Sequence, residues 1–302
     1  MEESEAVSRA CPHFIMYTVS VITPNGEARH QIGGSKPNLE QRGCAVLLLL
    51  QLLEQSKSGK CQKSLGSTVL DERSRELSRL GWTVMSSSTC VPGAYTRRAS
   101  RLPKLVPHKF FPHTEKVLYS DLKLLSAIKS FEASLLAETL LRDTSFGIIQ
   151  HPQSSGISWE HDEILKVWKK RPKVVDSAEK LNLQVQLIKG VLSPLQERSF
   201  AVEGQLHARQ LRGPGNATTM SEVWLEEYMF GCDRDQIAFY AAAGRMDLVM
   251  ESPFPCSKFE RAGIYRSRYS DAEFTFAMHC SMDLDRRYLD LKPKTIPSWA
   301  IS

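Results

Sequence analysis

The segment VLYSDLK, residues Val117 to Lys123, decides the fold that this sequence predicts. Its apolar and aromatic run, with no helix stop signal, is typical of a short buried strand. The strand leads directly into the carboxylate of Asp121. Because ligands of open α/β sheets bind beyond the carboxyl ends of the strands, we expect Asp121 to meet a metal ion, a ribose or a phosphate-bearing ligand. The alternative is that Asp121 only caps a turn or the following helix.

Strand and helix patterns alternate on both sides of this segment. Phe14 to Ile22 and Phe146 to Ile149 are rich in β-branched and aromatic residues, and apolar residues recur at helical spacing between 125 and 140. Cys44 to Leu53 predicts a buried strand or the start of a helix, and periodicity does not decide between them. Alternating strands and helices are typical of a parallel sheet. The sequence therefore predicts an α/β fold with a mostly parallel central sheet flanked by helices.

The chain after residue 150 predicts further helices and one more strand. Residues 159–170 and 177–192 carry apolar stripes of helical period, and Phe200 to Arg209 alternates partly, as a strand does. Asp233 is a natural N-cap for a helix, with Gln236 three residues later. We predict one domain with an N-terminal part at 1–80, a mobile insertion near 56–67, a core at 81–250 and an irregular C-terminal extension at 251–302.

The composition is that of an ordinary globular protein. The 302 residues are 42% hydrophobic and 24% charged, and the formal net charge is +5. This mild positive charge suits an anionic small ligand but is too small for a nucleic-acid-binding surface. We therefore expect no nucleic acid among the partners.

Cysteine spacing and hydropathy limit the classes of site further. Seven cysteines are scattered along the chain without a C-x-x-C pair, so a zinc site of the usual spacing is not expected. One or two disulfides fit this pattern in an oxidising compartment, and the sequence leaves that open. The first residues are acidic, so no secretory signal is visible. The most apolar run, Cys44 to Leu53, is too short for a membrane span, which needs about 20 residues.

Five polar segments follow one another in a distinctive order. They are Lys104 to Phe111 (KLVPHKFF), Asp121 to Lys123 (DLK), His151-Pro152, Glu203 to Arg209 (EGQLHAR) and Arg234 to Phe239 (RDQIAF). In this order they resemble the glycosyltransferase-like domain family of plant mucilage-related hexosyltransferases and their bacterial relatives. The resemblance covers roughly Gly81 to Gly244.

The resemblance implies a GT-A-like fold that binds a nucleotide-sugar donor at the strand ends and transfers a hexose to a glycan acceptor. It also implies polysaccharide biosynthesis in the Golgi, whereas the chain shows no signal or anchor, which leaves the cytoplasm open. Two features depart from the family pattern. The strand Phe14 to Ile22 lacks the family's Gly-rich continuation, and the membrane anchor of the plant members is not visible.

Transfer from a nucleotide sugar requires that the negative charge of the leaving diphosphate be stabilised, by a divalent metal or by fixed cations. Asp121 is the candidate for a ribose contact or for a ligand of Mn²⁺ or Mg²⁺. In GT-A-like folds a second acid usually stands two residues after the first, at the position where this chain has Lys123. A lysine there holds a phosphate without a metal or points to solvent, so metal dependence stays open. By the resemblance, the other candidates for donor binding are Lys104, His108, His151 and Arg209.

The acceptor side is predicted around the last segment. Asp235 is the candidate general base that takes a proton from the acceptor hydroxyl, a role that an inverting enzyme requires. Its place in the first turn of a helix also stabilises a carboxylate without any function. By the resemblance, Glu203 is a second catalytic candidate, and Arg234 and Gln236 are candidates for acceptor binding. Alternatively, Glu203 faces solvent and Gln236 only closes a capping box.

Two other functions stay open. A catalytically inactive carbohydrate- or nucleotide-binding module fits the lack of a second acid and the atypical first strand. A ceramidase-like hydrolysis of a lipid amide has been ascribed within the family. The chain contains neither a G-x-S-x-G nor an H-E-x-x-H motif for such a hydrolysis.

Overall fold

The computed structural model describes residues 2–22, 43–55, 61, 67–92, 96–122, 125, 133–141, 144–150, 157–170, 178–191, 202–213, 217–246, 261–266, 273–277 and 281–282. The helices are α1 Glu2–Ala10, α2 Ser67–Arg79, α3 Thr96–Ala99, α4 Leu102–Leu105, α5 Pro107–Phe110, α6 Ala133–Leu140, α7 Ile157–Lys170, α8 Ala178–Val191, α9 Ala217–Phe230 and α10 Asp235–Arg245. The strands are β1 Phe14–Ile22, β2 Gly43–Gln55, β3 Thr83–Pro92, β4 Lys116–Ser120, β5 Phe146–Gln150, β6 Val202–Gln210, β7 Arg261–Arg266, β8 Glu273–Ala277 and β9 Ser281–Met282.

The described residues fall into two compact units. The first comprises those within 1–139 and 208–213, and the second those within 140–207 and 214–295. Strand β6 belongs to both, since it runs through the second unit as far as His207 and ends in the first. The domain boundaries that the sequence analysis set near residues 80 and 250 stay a prediction.

The sheet of the first unit has the strand order β3-β2-β1-β4. β1 is parallel to β2 on one side, where Phe14 pairs with Gly43, and parallel to β4 on the other, where Phe14 pairs with Lys116. β3 continues the parallel arrangement beyond β2. The chain therefore winds outward from β1 to β3 and then returns to the opposite side of β1. This reversal is the topological switch point at which open α/β sheets place their ligands.

Strand β2 settles the question that periodicity left open. Residues 46–50 of this strand are at most 3% exposed. A parallel strand covered on both faces is a continuous apolar run rather than an alternating one, which is why the sequence pattern was ambiguous. β3 pairs with β2 along its whole length, as far as Pro92 opposite Gln55.

The second unit contains antiparallel pairs. β9 runs antiparallel to β5, and β7 and β8 form an antiparallel ribbon. The described sheets are therefore mixed, and the mostly parallel sheet predicted from the sequence is wrong in this respect. The connection between β7 and β8, residues 267–272, is too short for the crossover that a parallel pair needs. These late strands lie in residues 251–302, where no strand pattern was recognised.

An aromatic cluster forms the core of the second unit. The ring of Trp224 lies 5.0 Å from that of Phe239 and 5.8 Å from that of His207, between centroids. Phe146 of β5 packs against the same group, 5.8 Å from Phe239, and all four side chains are fully buried. α7 and α8, which the apolar stripes predict, are confirmed to within one or two residues.

Glycine and proline set several helix ends in the first unit. α2 ends at Arg79, and Gly81 follows two residues later with a φ of 88°, in the left-handed region that favours glycine. α4 and α5 each begin with a proline in the first turn, Pro103 and Pro107, and each ends within four residues. The prolines thus divide this segment into two short helices.

Two disulfides link described residues of the first unit. Cys11 is bonded to Cys44 with a Cα–Cα distance of 6.0 Å, and Cys61 to Cys90 with a Cα–Cα distance of 5.9 Å. The first ties the segment before β1 to the start of β2, and the second ties the segment after β2 to the end of β3. Cys232 is buried and is not part of a disulfide among the described residues. None of the described helices is long and apolar enough to cross a membrane.

Candidate functional site

Asp121 directly follows the last residue of β4. It lies at the carboxyl end of this parallel strand, where the winding of the sheet reverses. The residues of β4 after Lys116 are all buried, and Asp121 itself is half-buried. The predicted strand and the position of its carboxylate are thus confirmed. Its role as a donor or metal ligand stays a prediction.

Tyr119 holds the Asp121 carboxylate. Side chains two residues apart on a strand share a face, and the Tyr119 hydroxyl donates a hydrogen bond to Oδ1 of Asp121. Burial, then the charge of Asp121 and this hydrogen bond raise the pKa of Tyr119 well above its usual value. The phenol is therefore a permanent donor at neutral pH.

Tyr17 packs on the other side of this contact within the same unit. Its ring lies 5.3 Å from Tyr119 and 5.1 Å from Phe111, between centroids. Its hydroxyl donates to the backbone carbonyl of Pro103 at 2.9 Å. β1 and the start of α4 are thereby fastened beside the end of β4.

Lys104 is a buried cation next to Tyr119. The side chain is 3% exposed, and Nζ lies 5.5 Å from the centroid of the Tyr119 ring, within cation–π range. A lysine at this depth supports the packing around Tyr119. Its predicted contact with the donor is not tested by this geometry.

Arg209 is fully buried and bound to the protein's own backbone. Nη1 donates to the carbonyl of Leu105 at 2.6 Å, and Nη2 to that of Lys104 at 2.9 Å. Burial lowers the pKa of Arg209 to about 10, partly opposed by Tyr17, so the guanidinium is still charged at neutral pH. These contacts give Arg209 the structural role of holding α4 against the end of β6. The donor contact that the resemblance implies has no counterpart among them.

The remaining donor candidates are placed less completely. His108 lies on α5 and is half-buried. Lys123 and His151 lie outside the described residues. Glu203 lies in β6, but its side chain is not among those described.

The acceptor candidates stand together in the second unit, at the start of α10. Asp235 is 3% exposed, and its backbone carbonyl accepts a hydrogen bond from Nε1 of Trp224 at 2.7 Å. Arg234 precedes it and forms an ion pair with Glu160, Nη2 to Oε1, at 2.6 Å. Gln236 is half-buried. Glu160 on α7 is thus a partner that the sequence analysis did not single out.

Asp233 does not cap α10 as predicted. The residue at the N-cap is Arg234, and it makes no side-chain capping hydrogen bond. The Asp233 carboxylate instead accepts a hydrogen bond from the buried hydroxyl of Tyr228 on α9. A tertiary donor has replaced the local backbone donors for which an N-cap aspartate is usually selected.

The predicted residues therefore form two groups. Asp121, Lys104 and Arg209 lie in the first unit, where Tyr119 contacts both Asp121 and Lys104, and Arg209 binds the Lys104 carbonyl. Asp235, Arg234 and Gln236 share a helix start in the second unit. Convergence of the two groups on one pocket stays a prediction. Of the partners not predicted, Tyr119 was detectable, because residues i and i+2 of a strand face the same way.

The structure does not bring together a complete set of metal ligands in the part of the chain that it describes. No group of three or more His, Cys, Asp or Glu side chains there is placed to hold a metal ion. Asp121 supplies one carboxylate, and Tyr119 already binds one of its oxygens. The described residues thus do not fit a metal centre, and no catalytic step is assigned to one.

No family model matches the chain, and no curated protein matches its sequence. Among solved structures, the chain is similar to the apo form of mouse xyloside xylosyltransferase 1, at 10% identity and a TM-score of 0.37. The match covers 76% of this chain and 81% of that one. Since a TM-score of this size does not establish a shared fold, the proposal below rests on the residues of the chain itself.

Proposed function

We propose that the chain is a glycosyltransferase that transfers a hexose from a nucleotide-sugar donor to a glycan acceptor. The observation that carries the proposal is the position of Asp121, at the carboxyl end of β4 where the parallel sheet of the first unit reverses its winding. That is where α/β sheets bind nucleotides and other phosphate-bearing ligands.

Contacts between distant segments of the proposed motif support this proposal. Arg209, at the end of one segment, donates to Lys104 at the start of another, and Lys104 lies beside Tyr119 in the strand that leads to Asp121. The sequence separation between Arg209 and Lys104 is 105 residues. These contacts bring two segments of the proposed motif beside the strand that leads to Asp121.

In this proposal the donor binds through Asp121, with Lys123 as a point charge on its phosphates and His108 and His151 beside it. Lys104 and Arg209 shape the wall of the donor site. Asp235 takes the proton from the acceptor hydroxyl, with Glu203, Arg234 and Gln236 on the acceptor side. Whether binding of the donor requires Mn²⁺ or Mg²⁺ is a question for the thermal-shift experiment.

The two disulfides support an oxidising compartment such as the Golgi lumen. Disulfides persist where thiols are not kept reduced, and they are rare in the cytosol of mesophiles. The cystines Cys11–Cys44 and Cys61–Cys90 are therefore expected in the protein as it works in the cell. Mass spectrometry of the alkylated, unreduced protein from its native source tests this: both linked peptide pairs support the lumen, and free thiols at these positions exclude it.

A thermal-shift panel tests the proposed function. Nucleoside diphosphates and nucleotide sugars, with and without Mn²⁺, are added to the wild type, to Asp121→Asn and to the control Glu115→Gln. Glu115 is an exposed carboxylate just before β4 whose side chain meets His13. A ligand at 100 times its Kd stabilises the native state by about 2.7 kcal/mol. We expect a nucleotide sugar to stabilise the wild type and the control but not the Asp121 variant.

One observation favours a second candidate, an inactive carbohydrate- or nucleotide-binding module. Two of the cations predicted to serve the donor, Lys104 and Arg209, are buried, which reduces the charge available to stabilise a leaving diphosphate. Ligand binding without turnover of any nucleotide sugar favours this candidate. Release of fatty acid from a ceramide, surviving loss of Asp121 and of Asp235, contradicts both.

A further inference from the structure

We propose that Tyr119 is a positioning residue, which fixes the orientation in which the Asp121 carboxylate meets a nucleoside diphosphate. The inference rests on the proposed function and deepens it. Tyr119 itself is buried, 6% exposed, so it acts through Asp121 rather than by touching the ligand.

The hydrogen bond from the Tyr119 hydroxyl to Oδ1 restricts the rotation of the Asp121 side chain. A half-exposed aspartate without such a partner rotates about both of its side-chain bonds and must be ordered when a ligand binds. That ordering costs free energy at the moment of binding. A carboxylate that is already held loses less, and it presents its remaining acceptor positions in one direction.

Tyr119 is itself held firmly enough to orient another group. Its ring lies between two neighbours of the first unit, Tyr17 at 5.3 Å between centroids and Lys104 at 5.5 Å from Nζ to the centroid. Tyr17 is fixed in turn by its hydrogen bond to the carbonyl of Pro103 at 2.9 Å. Support of this kind around a binding residue is what preorganises a site.

The protonated state of the Tyr119 phenol preserves its hydrogen bond to Asp121. The raised pKa of Tyr119 keeps its proton on the phenol throughout the physiological pH range. The hydrogen bond therefore does not depend on moderate changes of pH. A hydrogen bond to a charged acceptor is among the stronger ones in proteins.

The chain offers a matched control in Tyr17. Tyr17→Phe and Tyr119→Phe each remove one hydroxyl from a buried ring of the same cluster, but only the second removes a donor to Asp121. Both variants keep the ring and its packing. Any effect through Asp121 should therefore appear in Tyr119→Phe alone.

The experiment is isothermal titration of UDP and GDP into five proteins: the wild type, Tyr119→Phe, Tyr17→Phe, Asp121→Ala and the double variant Tyr119→Phe/Asp121→Ala. We expect Tyr119→Phe to raise the Kd of the nucleotide that binds by up to about tenfold, because the released Asp121 side chain must then be ordered when the nucleotide binds. Tyr17→Phe should change it by less than about threefold. In the Asp121→Ala background, Tyr119→Phe should have almost no further effect.

The outcomes separate the two proposals. A wild type that binds neither nucleotide overturns the proposed function, and the positioning role falls with it. A wild type that binds, with Tyr119→Phe equal to the wild type or equally damaging in the Asp121→Ala background, overturns the positioning role alone. Urea unfolding of the same variants shows whether each is folded, so that a loss of binding is not mistaken for a loss of structure.

Discussion

Substitution of Arg209 by methionine separates a structural role from a ligand-binding one. Methionine keeps an unbranched side chain of similar length but removes both donors to the carbonyls of Lys104 and Leu105. Two hydrogen bonds from a charged donor are together worth about 3–6 kcal/mol. Burial of the guanidinium, which lowers its pKa to about 10, opposes this by roughly 3 kcal/mol. We therefore expect Arg209→Met to lower the free energy of unfolding by about 2 kcal/mol.

The matched control is Arg212→Met, three residues along the same segment. Arg212 is exposed and also donates to a backbone carbonyl, that of Pro112 at 3.1 Å. Because water replaces the donor at an exposed carbonyl, we expect a change within about 0.5 kcal/mol. Urea and thermal unfolding followed by circular dichroism measure both variants, and the shift for Arg209→Met should be about 4 °C in Tm.

One pattern of results would refute the structural reading of Arg209. If Arg209→Met unfolds at the same urea concentration as the wild type but no longer binds a nucleoside diphosphate, Arg209 is the donor contact that the resemblance implies. Loss of stability with nucleotide affinity kept in the folded protein supports the structural role. Both quantities come from the same purified samples.

Three further predictions concern other parts of the chain. Folding raises the pKa of the Tyr119 phenol, so the protonated phenol contributes stability below pH 10 that is lost as the pH rises. We therefore expect the midpoint of urea unfolding to fall above pH 10, and to fall less in Tyr119→Phe. Replacement of Cys61 and Cys90 by serine opens a loop of 29 residues and should cost at most about 3–4 kcal/mol; an unchanged urea midpoint would contradict the bond. Glu160→Gln breaks a mostly buried ion pair and should cost about 1–3 kcal/mol, whereas Glu163→Gln breaks an exposed pair on the same helix and should cost under about 0.5; equal losses would contradict the assignment.

The strands that could be predicted are those whose pattern is local. β1 is predicted and found at Phe14–Ile22, because nine residues rich in β-branched and aromatic side chains leave little alternative. β2 could not be assigned, since a strand buried on both faces has no period to detect. Its assignment follows only from its position between β1 and β3.

Helix α1 shows the opposite case. Its sequence, EESEAVSRA, is short and has few apolar residues, so its local pattern alone does not predict a stable helix. The helix is held by tertiary contacts: Ser8 is fully buried and is hydrogen-bonded to Thr114 at 3.1 Å, 106 residues away. No spacing within the helix encodes a partner at that distance.

The candidate site likewise contains a residue that local sequence could predict and a residue whose role it could not. The position of Asp121 could be predicted, because the end of a buried parallel strand is set by a short local pattern and the ligand edge of the sheet follows from it. The role of Arg209 could not, because its acceptors are backbone carbonyls about a hundred residues away, and carbonyls leave no trace in the residue types. A basic residue at a strand end predicts a phosphate contact and a structural anchor equally well.

The exposed fractions of the side chains separate the structural residues of the proposed motif from the residue that a ligand can contact. Lys104 and Arg209 are 3% and 0% exposed, so within this first unit they stabilise the segments around the site. Asp121 is half-buried at the end of β4, and the side chain that orients it, Tyr119, is buried behind the same strand face. A ligand that reaches this edge of the sheet can therefore touch Asp121 without displacing protein atoms, whereas contact with Arg209 requires the α4 carbonyls to give up their donors. Substitution of Asp121 should accordingly weaken binding at little cost in stability, and substitution of Arg209 should lower stability with little effect on binding.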